Sequence, residues 1–199
     1  MVEISASLVK ELRALTGAGV IDCRNALAEC RGDLEKAQQL LRARGLASAA
    51  RKSGRVAKEG LVASYIHSGG RLGVLVEVNC ETDFVARTDD FKTLARDIAM
   101  QIAASDPRYV SRDDVPSEVA AAERAAHLAK ARADGKNGVD ADAEAEKQME
   151  KFYQGANLLE QPFIRDERRT VGDLIKDVIA RTGENILVRR FARFRLGEG

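Results

Sequence analysis

The sequence has no tryptophan, and aromatic residues make up only 5% of its 199 positions. A chain so poor in rings builds its core from aliphatic side chains, and a hydrophobic fraction of 45% suffices to pack one. Neither sign of charge dominates: the formal net charge of +1 provides no general attraction to nucleic acid. No run approaches the roughly 20 apolar residues that cross a bilayer, and no signal-peptide pattern opens the chain, so no membrane contact is expected. Cys23, Cys30 and Cys80 form no CxxC pair and leave an odd number, which leads us to expect a reducing, cytoplasmic location. Cys23 and Cys30, seven apart, can share a helix face as small apolar residues.

Chemistry-bearing patterns are equally scarce. Two histidines leave few choices for a metal set or a general base, so neither metal nor cofactor is expected. Gly17 and Gly19 are no phosphate loop, since no strand precedes them and no Gly-Lys-Ser/Thr follows. The expectation is therefore not an enzyme but a binding protein that acts by reshaping another protein.

What is present is helical punctuation followed by a hairpin. Ser5 or Ser7 can cap a first helix with an apolar stripe of Leu8, Val9, Leu12 and Leu15. After Thr16-Gly17-Ala18-Gly19, a second helix offers Ile21, Cys23, Ala26, Leu27 and Cys30 as inner candidates. Asp33 caps a third, carrying Leu34, Ala37, Leu40 and Leu41, for which Gly45 is the expected stop. Arg42 to Lys58 holds six basic residues and no acid, and reads as a solvated helix end plus linker. Leu61–His67 and Leu72–Asn79, joined by Ser68-Gly69-Gly70, read as a β-hairpin with His67 at the turn.

Further on, a helix is expected from Asp89 to about Asp106, then a pair from Ser117 to about Asp134 and from an Asp140 cap to about Gln154. From Asp113 to Glu150 there are ten acids and five bases, a net charge of −5, with few large apolar residues, as suits a projecting helical arm. Leu158–Ile164 reads as an irregular apolar segment. Thr170-Val171-Gly172-Asp173 resembles a capping box opening a helix that Gly183 ends. The alternating Ile186–Leu196 reads as a last strand. Its arginines and aromatics, with the basic linker, support an alternative reading as an RNA-binding module, although a half-buried strand with charged outer residues explains the alternation equally.

The stretch around which these elements are arranged is Asn79-Cys80-Glu81-Thr82-Asp83-Phe84-Val85-Ala86-Arg87. It joins the hairpin's second strand to a helix that Thr88 can cap, with Asp89 and Asp90 at the positive end of its dipole. Two readings are open for its centre. In one, Phe84 plugs the core and Asp83 caps a turn. In the other, Phe84 is a protruding wedge that enters a partner's pocket, with Asp83 disturbing what is bound there.

The run Glu77–Arg87 resembles the signature of bacterial elongation factor Ts, and Leu12–Cys23 resembles that family's N-terminal signature. The resemblance favours the wedge. It implies an α+β fold: a UBA-like three-helix module with basic linker over 1–54, then a core over 55–199 with a small antiparallel sheet and a helical arm at about 113–155. It further implies a guanine-nucleotide exchange factor that binds the GTPase elongation factor Tu and promotes GDP release near the magnesium site. The implied contact residues are Asp83 and Phe84, with Thr82 and Val85 fixing the turn; Arg13, Val20 and Ile21 on the N-terminal module; and His67. Some members carry methionines where this chain has Val20 and Ile21, and lysine where it has Arg24. Long members hold two related core subdomains and short ones dimerise, so a homodimer through the core, involving the last strand, is expected. Some short members have a cysteine where this chain has Ala192, so no disulfide can cross the dimer there.

Overall fold

The computed structural model describes residues 4–198, as a mixture of helices and a small antiparallel sheet, in accord with the α+β expectation. The elements follow the order α1 (Ala6–Thr16), α2 (Val20–Glu29), α3 (Leu34–Lys52), β1 (Glu59–Ile66), β2 (Leu72–Cys80), α4 (Asp83–Ala86) and α5 (Asp89–Ser105). Then come α6 (Ser117–Ala133), α7 (Gly138–Ala156), β3 (Pro162–Phe163), β4 (Asp166–Thr170), α8 (Val171–Thr182) and β5 (Ile186–Arg195). Strand order in the main sheet is β1-β2-β5, and β3 pairs with β4 in a separate two-stranded ribbon.

The chain gathers into two compact units. The first takes the chain as far as Val62, then Glu77–Ala95 and Asp173–Val188. Its N-terminal part is a three-helix packing built on Val9, Leu12, Cys23, Ala26, Leu27 and Ala37. The Ser5 hydroxyl caps α1 by accepting from Leu8 N, and Gly17, in the left-handed region at φ 68°, closes its other end. Leu15, placed on the inner stripe from its spacing, instead faces solvent, and so does Ile21.

Gly45 does not stop α3, which runs on to Lys52. A Cβ added at Gly45 would come within 3.0 Å of the Ala180 Cβ on α8. The glycine thus serves close packing of two helices rather than termination. Much of the basic stretch expected as linker is consequently helical, with Ala49 buried. At Gly60, with φ 143°, a Cβ would strike the Val78 carbonyl, so this position lets β1 lie tight against the end of β2.

The second unit takes Ala63–Val76, Arg96–Gly172 and the chain from Arg189 onward. Ile98, Ala99, Ile102, Leu158, Phe163 and Val171 form its apolar interior. Inside it lies a satisfied amide network: Gln101 Nε2 donates to Gln161 Oε1 (3.2 Å) and the Pro162 carbonyl (3.1 Å), while its Oε1 accepts from Ile164 N (2.9 Å). Helices α6 and α7 pack on each other, burying Ala131, Ala141, Ala145 and Met149, where small side chains allow close approach. Helix α7 begins at Gly138, with Asn137 in the cap position, three residues earlier than the expected Asp140 cap. The β3–β4 ribbon occupies part of the segment read as irregular; a two-residue strand has no periodicity to detect.

Candidate functional site

Strand β2 ends in buried Val78 and Cys80, so the chain is packed into the interior up to the turn. Thr82 then adopts an extended conformation and caps α4, its hydroxyl accepting from Val85 N at 3.4 Å. Cys80 Sγ donates to the Thr82 carbonyl at 3.1 Å. Burial pushes the Cys80 thiol up to about 11, so it stays protonated and serves as a donor, not a nucleophile. Val85 and Ala86 face inward and anchor the turn. Thr88 then closes it, donating to the Val85 carbonyl (2.7 Å) and accepting from Phe91 N (3.3 Å) to start α5.

Phe84 points the other way. It is 77% exposed, so the core-plug reading of this ring is overturned. The physical reason is the helical turn itself: with Val85 and Ala86 committed to the interior, the preceding side chain falls on the opposite side of a four-residue helix. Asp83, also exposed, is not the cap; Thr82 is. The Asp83 carboxylate instead pairs with Arg87 at 2.6 Å. The result is a large exposed ring beside a carboxylate, on a turn fixed at both ends.

A second layer of contacts holds this turn from behind. The Glu184 carboxylate accepts from Glu81 N (3.2 Å), Thr82 N (3.0 Å) and the Thr82 hydroxyl (2.6 Å). The Glu81 carboxylate in return accepts from Asn185 N at 2.6 Å and lies 3.6 Å from the Arg55 guanidinium. Buried Asn185 donates through Nδ2 to the carbonyls of Ser53 (3.3 Å) and Arg55 (2.7 Å). Sequence reasoning missed Glu81, Glu184 and Asn185, because partners about a hundred residues apart leave no local pattern.

The other expected contact residues are all at the surface. Arg13 lies exposed near the end of α1, Val20 is 54% exposed and Ile21 is 74% exposed at the start of α2. His67, in the hairpin turn, is exposed and hydrogen-bonded through Nδ1 to the Tyr65 hydroxyl at 3.0 Å. Among the described residues there is no group of three His, Cys, Asp or Glu side chains that could hold a metal ion. None of the described helices is long and apolar enough to cross a membrane.

Comparison with known proteins converges on one family. A family model described as Elongation factor TS matches residues 47–198. The chain is 58% identical over 196 residues to Elongation factor Ts of a Thermoanaerobacter species, covering 98% of this chain and 96% of that protein. It is 57% identical to Elongation factor Ts of Caldanaerobacter subterraneus, with 98% of both chains covered. Elongation factor Ts of an Anaeromyxobacter species is 55% identical over 199 residues, spanning all of this chain and 91% of that one. With the family model matching most of the chain and identity of 55–58% over nearly its whole length, the chain belongs to the elongation factor Ts family of translation factors.

Proposed function

We propose that the protein is a guanine-nucleotide exchange factor, not an enzyme, that binds elongation factor Tu in the cytoplasm and promotes release of GDP. The observation that carries this reading is the Phe84 ring, 77% exposed on a turn whose backbone is hydrogen-bonded on both sides. A free protein gains nothing by exposing a phenyl ring, whereas a partner pocket that buries it gains on the order of 2 kcal/mol.

In this reading the ring enters the GTPase and parts side chains near its magnesium site. The Asp83 carboxylate competes for groups that hold the ion's water shell. Thr82 and Val85 fix the turn, one as its cap and the other as its anchor. No bond is made or broken by this chain. An exchange factor must bind the nucleotide-free partner better than the GDP-bound one, and by reciprocity GDP then weakens binding of the factor.

The same proposal assigns partner contacts to Arg13, Val20 and Ile21 on an N-terminal module spanning 1–54, and to His67 in the core, 55–199. It also makes the active form a homodimer. Support for the dimer comes from a groove of about 600 Å³ lined by Ile66, Leu75, Phe194 and Leu196, which are all exposed large apolar residues. A second copy is a fitting cover for such a surface beside the last strand. The RNA-binding alternative has less to stand on. Arg193 of β5 is engaged by Asp106 (3.2 Å) and Glu198 (3.4 Å), and Arg195 by Glu198 (3.0 Å), so these charges are answered within the protein. Release of labelled GDP from purified elongation factor Tu, with and without this protein, tests the proposal; an unchanged release rate at excess factor rejects it.

A further inference from the structure

We infer that Glu184 is a positioning residue for nucleotide exchange, acting through the turn that carries Phe84; the inference rests on the wedge reading above. An exposed ring draws its orientation from the backbone beneath it. That backbone leaves β2 at Glu81 and enters α4 after Thr82, and the Glu184 carboxylate takes three donors there: Glu81 N, Thr82 N and the Thr82 hydroxyl. The hydroxyl contact has a further consequence. With its proton committed to Glu184 at 2.6 Å, the Thr82 oxygen is left to accept from Val85 N, which sets the start of α4.

The fastening is reciprocal. Glu184 holds the turn while the Glu81 side chain holds Asn185 N, so neither segment can shift without breaking bonds at both. Asn185 extends the chain of contacts to the Ser53 and Arg55 carbonyls, just past α3. A carboxylate accepting two backbone N–H groups and a hydroxyl forms charge-assisted bonds, stronger than neutral ones. Glu184 is only half-buried and lies outside the apolar interior, whose contribution at this place comes from Cys80, Val85 and Ala86. Its role is thus separable from packing. A turn ordered in advance spares the ordering entropy that binding would otherwise incur, and that saving appears in exchange.

The test uses the full chain in four variants: Glu184→Ala, Glu184→Gln, Phe84→Ala and the double variant Phe84→Ala/Glu184→Ala. Each is assayed for GDP release from elongation factor Tu across factor concentrations, and free proteins are examined by circular dichroism and by amide hydrogen exchange at Glu81 and Thr82. Glu184→Ala is expected to keep its helix content, speed exchange at those two amides, and lower the maximal release rate on the order of tenfold. Glu184→Gln, whose amide oxygen still accepts, should recover all but roughly threefold. Added to Phe84→Ala, the Glu184 change should cost less than about twofold, because it acts through the ring. If Phe84→Ala impairs release while folded Glu184→Ala does not, or if Glu184→Ala fails to fold and Glu184→Gln releases GDP at the full rate, Glu184 is not a positioning residue and the wedge stands. A full tenfold loss in the Phe84→Ala background also overturns the inference. Normal release by Phe84→Ala removes the wedge reading and the inference with it.

Discussion

Arg87 Nη2 lies 2.6 Å from Asp83 Oδ2, one helical turn on, with the two side chains 77% and 62% exposed. An ion pair this open to water is worth little to the fold. Asp83→Asn and Arg87→Ala should therefore both melt within about 2 °C of the unaltered protein. Their effects on function should differ. Under the proposed role of Asp83 at the magnesium site, Asp83→Asn removes the competing charge and should slow GDP release about three- to tenfold. Arg87→Ala leaves that charge in place and should stay within about twofold. Equal losses from both substitutions would contradict the role given to Asp83.

Ile21 provides a test of the N-terminal contact that its exposure makes clean. A residue 74% exposed adds little to the three-helix core, so Ile21→Asp should retain its helical circular dichroism signal. Binding to elongation factor Tu should weaken by about tenfold or more. Undiminished affinity would remove Ile21 from the interface.

The acid response of the second unit centres on Arg112. Its guanidinium reaches Glu150 (2.7 Å) and Glu160 (2.6 Å) and stacks 4.5 Å from the Tyr153 ring centroid. Hydrogen bonds from Arg112 hold both carboxyls below their ordinary 4.5. A depressed carboxyl stabilises the folded form above its unfolded value and loses that contribution as pH falls through the folded one. Arg112→Met should therefore lower the melting temperature at pH 7. The difference from the unaltered protein should shrink as pH falls from about 5 to 3. A difference that stays constant over that range would mean the loss is one of packing on Tyr153.

Light scattering at low micromolar concentration checks the dimer. The expected mass is twice the 21.7 kDa of one chain. Phe194→Arg, at an exposed position in the groove, should shift the protein toward the single-chain mass without unfolding it. A single-chain mass at every concentration, in a protein that still releases GDP, would contradict the dimer.

Local signals carried much of this structure. The Ser5 and Asp33 caps, the hairpin turn, the Thr88 start of α5 and the Gly183 stop all have side-chain or backbone chemistry within a few residues, and all are found where that chemistry puts them. Gly45 misled because a glycine's meaning depends on its neighbour across space: beside Ala180 it is a contact, not a break. Leu15 and Ile21 misled similarly, since helical periodicity does not tell an apolar face turned inward from single apolar residues left at the surface. At the site, residues alone could not decide whether Phe84 faced in or out. Its direction is set by Val85 and Ala86 taking the inner side, and by a clamp from Glu184, 102 residues away in sequence.

The most direct measurement of the central claim is release of labelled GDP from elongation factor Tu by Phe84→Ala at subsaturating concentration, with its melting temperature recorded alongside. The ring is 77% exposed, so truncation should leave the melting temperature within about 2 °C. Release should slow by about ten- to a hundredfold, the loss of roughly 1–3 kcal/mol of coupling. A stably folded Phe84→Ala protein that releases GDP as fast as the unaltered chain would contradict the account.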